Sequence, residues 1–505
     1  MTFRPWRPAA ASDVAPAIAL LSGLVSAVWF WAQRQSLWED EIIAITHGLQ
    51  PFPGFFVEVV RNDIHPFLYF LFVKIWASAA IGSDSWVIAS SLAAVLFSAA
   101  VVALVGRRIY GRNAALWAAA LFLVLPTTSW SAANLRMYGL MPGIAVLCWL
   151  ANCEALRTGR RGWLWATLLL QLAQTYLHAI GFFFAAFFAL AALVEQRRDL
   201  DRGRLMAWIG VQALTLLGML PVVASALVRG TEPLGAPTLA SVLVYPAEAV
   251  SIWGATPLML VVGGATFLAL LGFALSSPRS RTATLVICCG SLATAVVLGS
   301  LGKTIFKPPV FAASITPFLA LGAAGGIAWG RAPGCRAVAA TCALALSVAL
   351  WLGTVHRQAD ETYRPAADYL ATNVRAGDVV VIPSPSVYWG VLRYAVGPRW
   401  GYPLDIMPLQ ANSQWARLTE KLGPAWANRL GLIPRTNVVD DRGVRYLIGG
   451  DLSRLVPAPS RLWVVHRRLY EERGQEAITP SWPGPAISTE PFGNELSVTL
   501  MDKGS

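Results

Sequence analysis

Residues 36–49 read SLWEDEIIAITHGL and follow, two residues on, the run VAPAIALLSGLVSAVWFWAQ, residues 14–33. The earlier run is apolar and long enough to cross ~30 Å of hydrocarbon as a helix. Three consecutive carboxylates, Glu39, Asp40 and Glu41, stand at its edge. So much negative charge against a bilayer asks for a reason. Each helical residue turns about 100°, so the three acids fan over roughly 200° and do not share one face. Asp40 and His47, seven residues apart, do share one. A carboxylate in a first turn also suits the helix dipole, which is explanation enough for Glu39 alone.

Working outward, apolar runs recur along the 505-residue chain, which is 56% hydrophobic and only 13% charged. A soluble domain carries about 25% charged residues, so the chain reads as an integral membrane protein. The formal charge of +12 does not indicate nucleic acid. It resides mostly in short Arg-rich loops, and such loops stay cytoplasmic. Placing the clusters at 4–7, 107–112, 157–161, 197–204, 279–281 and 331–336 inside threads the chain. Spans are expected near 14–33, 86–106, 113–130, 138–156, 163–180, 181–195, 206–227, 254–276, 283–301, 310–330 and 336–355. These make eleven transmembrane helices, with the C-terminus outside. The six cysteines lie in or beside apolar runs and have no zinc-type spacing.

The segment HPFLYFLFVKIWASAAIG, residues 65–82, is apolar, but counting it as a span would put every later Arg cluster outside. It also carries Lys74. It reads as an interfacial helix in a first outer loop of about 34–85. After residue 355, helix-like and strand-like stretches alternate, with VVVI, VRYLIGG and RLWVVHR as strands. Residues 356–505 are therefore expected to form a small soluble α/β domain, and the tail from TPSWPG reads as turns. Residues 1–355 are expected to be the membrane domain.

Polar residues collect at the expected outer ends of the spans. In NDIHPF, Asp63 and His65 flank Ile64, and Pro66 holds His65 extended. Arg136 and Tyr138 lie together in NLRMYGLM. There the guanidinium either snorkels to headgroups or clamps a phosphate. His178 lies in TYLHAIGFF, and Lys303 and Lys307 lie in LGKTIFKPPV, outside and against the usual basic asymmetry. Carboxylates suit a base that deprotonates an acceptor, and cations suit an anionic lipid head.

With these motifs in order, the sequence resembles the membrane-embedded glycosyltransferases of the GT-C fold. It is most similar to protein O-mannosyltransferases and bacterial lipid A aminoarabinose transferases. The likeness rests on WEDEIIA, NDIHPFLYF, RMYGL and YLHAIGFF and covers about residues 14–200. It implies a polyprenyl-phosphate-linked sugar donor and a lipid, glycan or protein acceptor at the outer face of the cytoplasmic membrane. It implies Asp40 and Glu41 as the catalytic acids, with transfer by inversion. Arg136, Tyr138, Lys303 and Lys307 become donor phosphate ligands. Asp63, His65, His47 and His178 become candidates for the acceptor or a divalent metal ion. Two departures stand out. Phe67 replaces the family's second proline, and FKPPVFAASITPFLALG lacks its late Arg-Tyr pair. Either a lysine has taken over the phosphate contact or donor recognition differs. A flippase or transporter of lipid-linked sugars is the competing class. It predicts broken helices, charges in mid-span or repeated halves. A scaffold serving the C-terminal domain ranks last.

Overall fold

The computed structural model describes residues 14–34, 36–49, 52, 55, 59, 66–80, 83–229, 239–251, 257–279, 281–300, 308–329, 338, 341–342, 345–346, 348, 363–382, 385–397, 438–448, 461–467, 486–492 and 496–502. Contacts group the chain into two compact units. One comprises Met1–Gln33, Ile64–Tyr69 and Ile88–Val355; the other comprises Arg34–Asp63, Phe70–Val87 and His356–Ser505. Most of the segment between α1 and α4 thus groups with the C-terminal residues, a pairing that local sequence pattern does not reveal.

The first unit is helical. Its helices are α1 (Val14–Ala32), most of α4 (Asp84–Tyr110), α5 (Arg112–Val124), α6 (Pro126–Ala133), α7 (Met141–Thr158), α8 (Arg161–Leu177), α9 (Gly181–Gln196), α10 (Arg202–Arg229), α11 (Leu239–Val250), α12 (Pro257–Ser276), α13 (Arg281–Ser300) and α14 (Pro308–Trp329). Short helices α2 (Glu39–Leu49) and α3 (Phe67–Ala77) precede α4. Five helices among the described residues are long and apolar enough to span: Val14–Ala32, Asp84–Tyr110, Arg202–Ala226, Pro257–Ser276 and Val310–Ala328. The chain is a multi-pass membrane protein. Other expected spans are present as helices, though α9 is short. The region 336–355 lies largely outside the described residues.

Three features differ from the sequence reading. The expected span 113–130 is not straight, because α5 and α6 meet at a 67° bend. Pro126 disfavours the helical region for the residue before it, and Leu125 is extended (φ −65°, ψ 131°). Helix α11 falls between two expected spans. Helix α3 agrees with the interfacial reading in length: eleven residues reach about 16 Å, half the hydrocarbon thickness.

Close helix contacts in the first unit use small residues, as membrane helices commonly do. A Cβ on Gly23 of α1 would lie 2.7 Å from Leu123 Cβ and 2.9 Å from the Leu123 backbone of α5. At the loop ends, acids hold the arginines. Glu154 accepts from Arg108 at 2.6 Å and from Arg157 at 2.5 Å, and Asp201 pairs with Arg204.

In the second unit, α15 (Tyr363–Asn373) and α16 (Pro385–Ala395) accompany a six-stranded sheet. The strands are β1 (Val379–Ile382), β2 (Val438–Asp441), β3 (Val444–Ile448), β4 (Arg461–Arg467), β5 (Ala486–Phe492) and β6 (Leu496–Asp502), in the order β2-β3-β1-β4-β6-β5. β1 runs parallel to β3 and β4, with Val380 opposite Tyr446 and Trp463. The other pairs are antiparallel. The apolar run VVVI is buried throughout, as a central parallel strand requires. The tail read as turns instead contains the β5–β6 hairpin.

Gly23→Leu must push α1 off α5, whereas Gly210 in α10 has no atom within 4 Å of its added Cβ. Overpacking costs about 1–3 kcal/mol. Thermal unfolding in detergent should therefore show a clear drop for Gly23→Leu and none for Gly210→Leu.

Candidate active-site residues

In the second unit, helix α2 is only eleven residues long, marginal for an isolated helix. Its ends are held by side chains. Glu41 accepts the Trp38 backbone N–H at 3.0 Å, so it fills the role of the third-position acid in a capping box. Glu41 is fully buried, and Arg34 donates to it while also donating to the Ser36 carbonyl at 3.1 Å. At the other end, Lys74 Nζ donates to the Gly48 carbonyl at 3.3 Å and stands over the Phe52 ring at 4.8 Å. This explains a lysine in an apolar run. Its stem packs in α3 and its head caps α2.

The carboxylates therefore have different placements. Glu41 is anchored, and Asp40 is half-buried. With Ile43 and Thr46, Asp40 forms the partly exposed stripe of α2, at spacings of three. His47, which shares the Asp40 side of the helix, is fully buried and meets the Phe70 ring edge-on at 5.6 Å. His47 is thus packed into the apolar interior of the unit.

Sequence reading missed a second cluster in this unit. Asp84, at the start of α4, is buried. Its Oδ1 accepts from Arg393 Nη2 at 2.6 Å and Nε at 3.2 Å. Its Oδ2 accepts from Arg364 at 2.7 Å and from the Tyr394 hydroxyl at 2.7 Å. Tyr394 in turn accepts the Leu37 N–H at 2.9 Å. Burial, then the Asp84 carboxylate, push the Tyr394 hydroxyl above its ordinary range, so it stays a donor at neutral pH.

In the first unit, Arg136 and Tyr138 lie where α6 has ended and a 3₁₀ turn, Met137–Gly139, precedes α7. Arg136 is 7% exposed. A buried serine of α4 fixes this turn. Ser98 Oγ donates to the Gly139 carbonyl at 2.6 Å and accepts the Gly143 N–H at 2.9 Å. Gly143 permits the approach, since a Cβ there would lie 2.9 Å from Ser98 Oγ. The Tyr138 ring stacks on Trp130 at 6.1 Å and lies 6.5 Å from the His178 ring. His178 Nδ1 accepts the Ile180 N–H at 3.2 Å, which fixes its tautomer with the proton on Nε2. Tyr138 and His178 are thus brought together, with Arg136 two residues before the tyrosine. Tyr138 also lines a cavity of about 10 Å³ with Thr127, Thr128, Ser131 and Thr316, the lower limit for one water.

Asp63, His65, Lys303 and Lys307 lie outside the described residues. Among the described residues, no three of His, Cys, Asp and Glu gather as a metal site.

No protein-family profile and no curated protein matches the sequence. Solved structures do match in fold. ArnT from Cupriavidus metallidurans, bound to undecaprenyl phosphate, superposes with a TM-score of 0.58 at 14% identity, covering 96% of this chain and 97% of that one. Its apo state gives 0.56 at 13% identity over the same shares. The chain has the GT-C fold. The apo oligosaccharyltransferase of Archaeoglobus fulgidus gives 0.50 at 12% identity, over 91% of this chain and 70% of that one. ArnT, a lipid A aminoarabinose transferase, and the oligosaccharyltransferase are both GT-C glycosyltransferases. The ArnT match spans nearly both chains, so the GT-C fold here takes in the C-terminal α/β residues too.

Removing one partner of a buried ion pair costs about 3–5 kcal/mol, and much of that is the stranded charge. Arg34→Met should therefore destabilise α2 more than the double variant Arg34→Met/Glu41→Gln. Local hydrogen exchange over residues 38–47 checks the ordering.

Proposed function

We propose that the protein is a membrane glycosyltransferase that moves a sugar from a polyprenyl-phosphate donor to a lipid, glycan or protein acceptor. What supports this most is a GT-C fold that extends over the whole chain and carries a buried Arg136–Tyr138 pair, together with a separate, partly exposed carboxylate on α2. Catalysis is assigned to residues 1–355, with 356–505 as the soluble part, and the reacting groups are assigned to the outer face of the cytoplasmic membrane.

In this reaction Asp40 takes the proton from the acceptor hydroxyl or amine. The freed oxygen or nitrogen attacks the anomeric carbon while the bond to the phosphate oxygen breaks. One displacement inverts the configuration and releases the polyprenyl phosphate. Arg136 offers a planar fork to that phosphate as its charge develops, and the Tyr138 hydroxyl is a further donor. Lys303 and Lys307 are assigned to the same phosphate. Asp63, His65 and His178 are assigned to the acceptor or to a divalent metal. Glu41 is assigned to holding α2 in place, and its buried pairing with Arg34 supports that role over one in proton transfer. His47, being packed against Phe70, supports the helix as well.

One observation favours the second reading, a transporter of lipid-linked sugars. The 67° break between α5 and α6 is a feature that transporters use at their binding sites. Mass spectrometry of envelope glycolipids in a deletion strain separates the two. A lost glycosyl transfer leaves unmodified acceptor, whereas lost transport leaves the whole pathway short of donor outside.

A positioned base contributes about 10²–10⁴ in rate. Asp40→Asn, returned to that strain, should lose product on that scale while the purified variant still binds undecaprenyl phosphate. Arg136→Ala should weaken undecaprenyl phosphate binding, and Arg136→Lys should restore only part of it, since lysine lacks the fork. Full product from Asp40→Asn would refute the base assignment.

The orientation has its own test. With the exposed native Cys289 and Cys342 replaced, a cysteine at exposed Ser78 should react with a membrane-impermeant thiol reagent in intact cells. One at exposed Arg160 should not. The reverse pattern places the reaction on the cytoplasmic face.

A further inference from the structure

We propose that Tyr394 and Arg393, acting through Asp84, are positioning residues for the Asp40-bearing helix α2, so that the C-terminal residues serve transfer by fixing the base. The inference rests on the reading of Asp40 as the base.

The geometry comes from three separated stretches of one compact unit. Tyr394 Oη makes two bonds in opposite senses. It accepts from the Leu37 N–H at 2.9 Å and donates to Asp84 at 2.7 Å. Leu37 lies two residues before the first residue of α2 and three before Asp40. Its amide precedes the helix and has no intrahelical partner to accept it. The hydroxyl therefore fixes the point from which α2 departs. Asp84 is the last turn of the same outer loop, at the head of α4, so Tyr394 joins the loop's two ends.

Arg393 makes this clasp stiff. Its Nε and Nη2 both reach Asp84 Oδ1, and Arg393 is itself buried. Arg364 adds a second guanidinium to Asp84 Oδ2, and stacks on the Tyr394 ring at 4.7 Å. Two cations against one buried acid leave Asp84 ionised and fully bonded. The body of α16 packs on α2, with Val387, Tyr388, Val391 and Leu392 buried. The helix that carries Tyr394 is thus held to the same helix whose start it sets.

The alternative is a merely stabilising cluster, and the readouts are chosen to exclude it. Tyr394→Phe removes one oxygen and keeps the ring. In the full-length protein it should speed hydrogen exchange of the amides of residues 37–47 by about tenfold, with exchange in β1 unchanged. Binding of undecaprenyl phosphate should stay at the wild-type value. Product in the complemented deletion strain should fall by about tenfold. Asp84→Asn should act in the same direction if Tyr394→Phe folds poorly, and Arg393→Lys should recover part of the product that Arg393→Gln loses. Arg442→Asn, at an exposed turn of the same sheet, should change nothing. Unchanged exchange at 37–47 in both Tyr394→Phe and Asp84→Asn overturns the proposal. So does full product from both variants in a strain where Asp40→Asn yields none. Full product from Asp40→Asn itself would remove the base assignment alone, and the exchange rates would still decide whether the clasp holds α2.

Discussion

A buried carboxylate is costly unless charge and hydrogen bonds both meet it, and Asp84 meets this constraint with groups drawn from 280 to 310 residues away. Two guanidiniums and a phenol converge on it. None of these bonds can form until the chain after residue 355 has folded against the loop between α1 and α4. This loop and the α/β sheet are for this reason one compact unit and not two. Tertiary electrostatics links what the chain order separates.

The same logic operates at smaller scale on α2. Eleven residues do not make a stable helix in water, yet this one carries the carboxylate on which transfer is proposed to depend. Glu41 caps its start and Lys74 its end, and Arg34 neutralises the buried acid. Adjacent acids are thereby divided. Glu41 turns inward and holds the helix, whereas Asp40 stands on the half-exposed stripe. A cluster of three carboxylates thus has a structural member beside the one proposed for chemistry.

Much of the fold was legible because hydrocarbon is a strict solvent. Apolar runs must form helices there, and, α11 and the break at Leu125 aside, the described helices of the first unit begin and end within a few residues of expected spans. The strands VVVI, VRYLI and RLWVVHR were legible from their β-branched and aromatic content. The bend at Leu125 was not, because apolar composition continues through it, and its one local signal is Pro126. The β5–β6 hairpin was hidden by an exposed strand containing proline, AISTEPF, which carries no alternating pattern. Of the candidate site, the Arg136–Tyr138 turn and His178 were legible as polar residues at apolar ends. Their fixing by Ser98 was not, since one serine among many in α4 has no distinguishing spacing. The Asp84 clasp was invisible for a deeper reason. Its partners are isolated in sequence, and only the folded unit gives them a common address.

The break between α5 and α6 gains meaning from what lies around it. Interrupting a membrane helix frees backbone groups, and these need polar partners on the spot. Across this break, Ser129 Oγ of α6 lies 3.4 Å from the Leu123 carbonyl of α5. Ser131 Oγ donates to the Thr127 carbonyl at 2.7 Å, and Ser129 Oγ lies 3.1 Å from Ser26 Oγ of α1. Asn134 donates to the Trp130 carbonyl at 2.7 Å. The break leads through α6 directly into the turn bearing Arg136 and Tyr138. A transporter needs such an interruption to move, and inverted-repeat transporters carry a second one in the matching half. Among the described residues there is one bent pair, and Ser98 and the close-packed glycines pin the turn that follows it. A pinned turn with a buried guanidinium suits a phosphate that must be held still while a bond to it breaks. The break therefore suits the fixed phosphate contact proposed for Arg136 better than a moving gate.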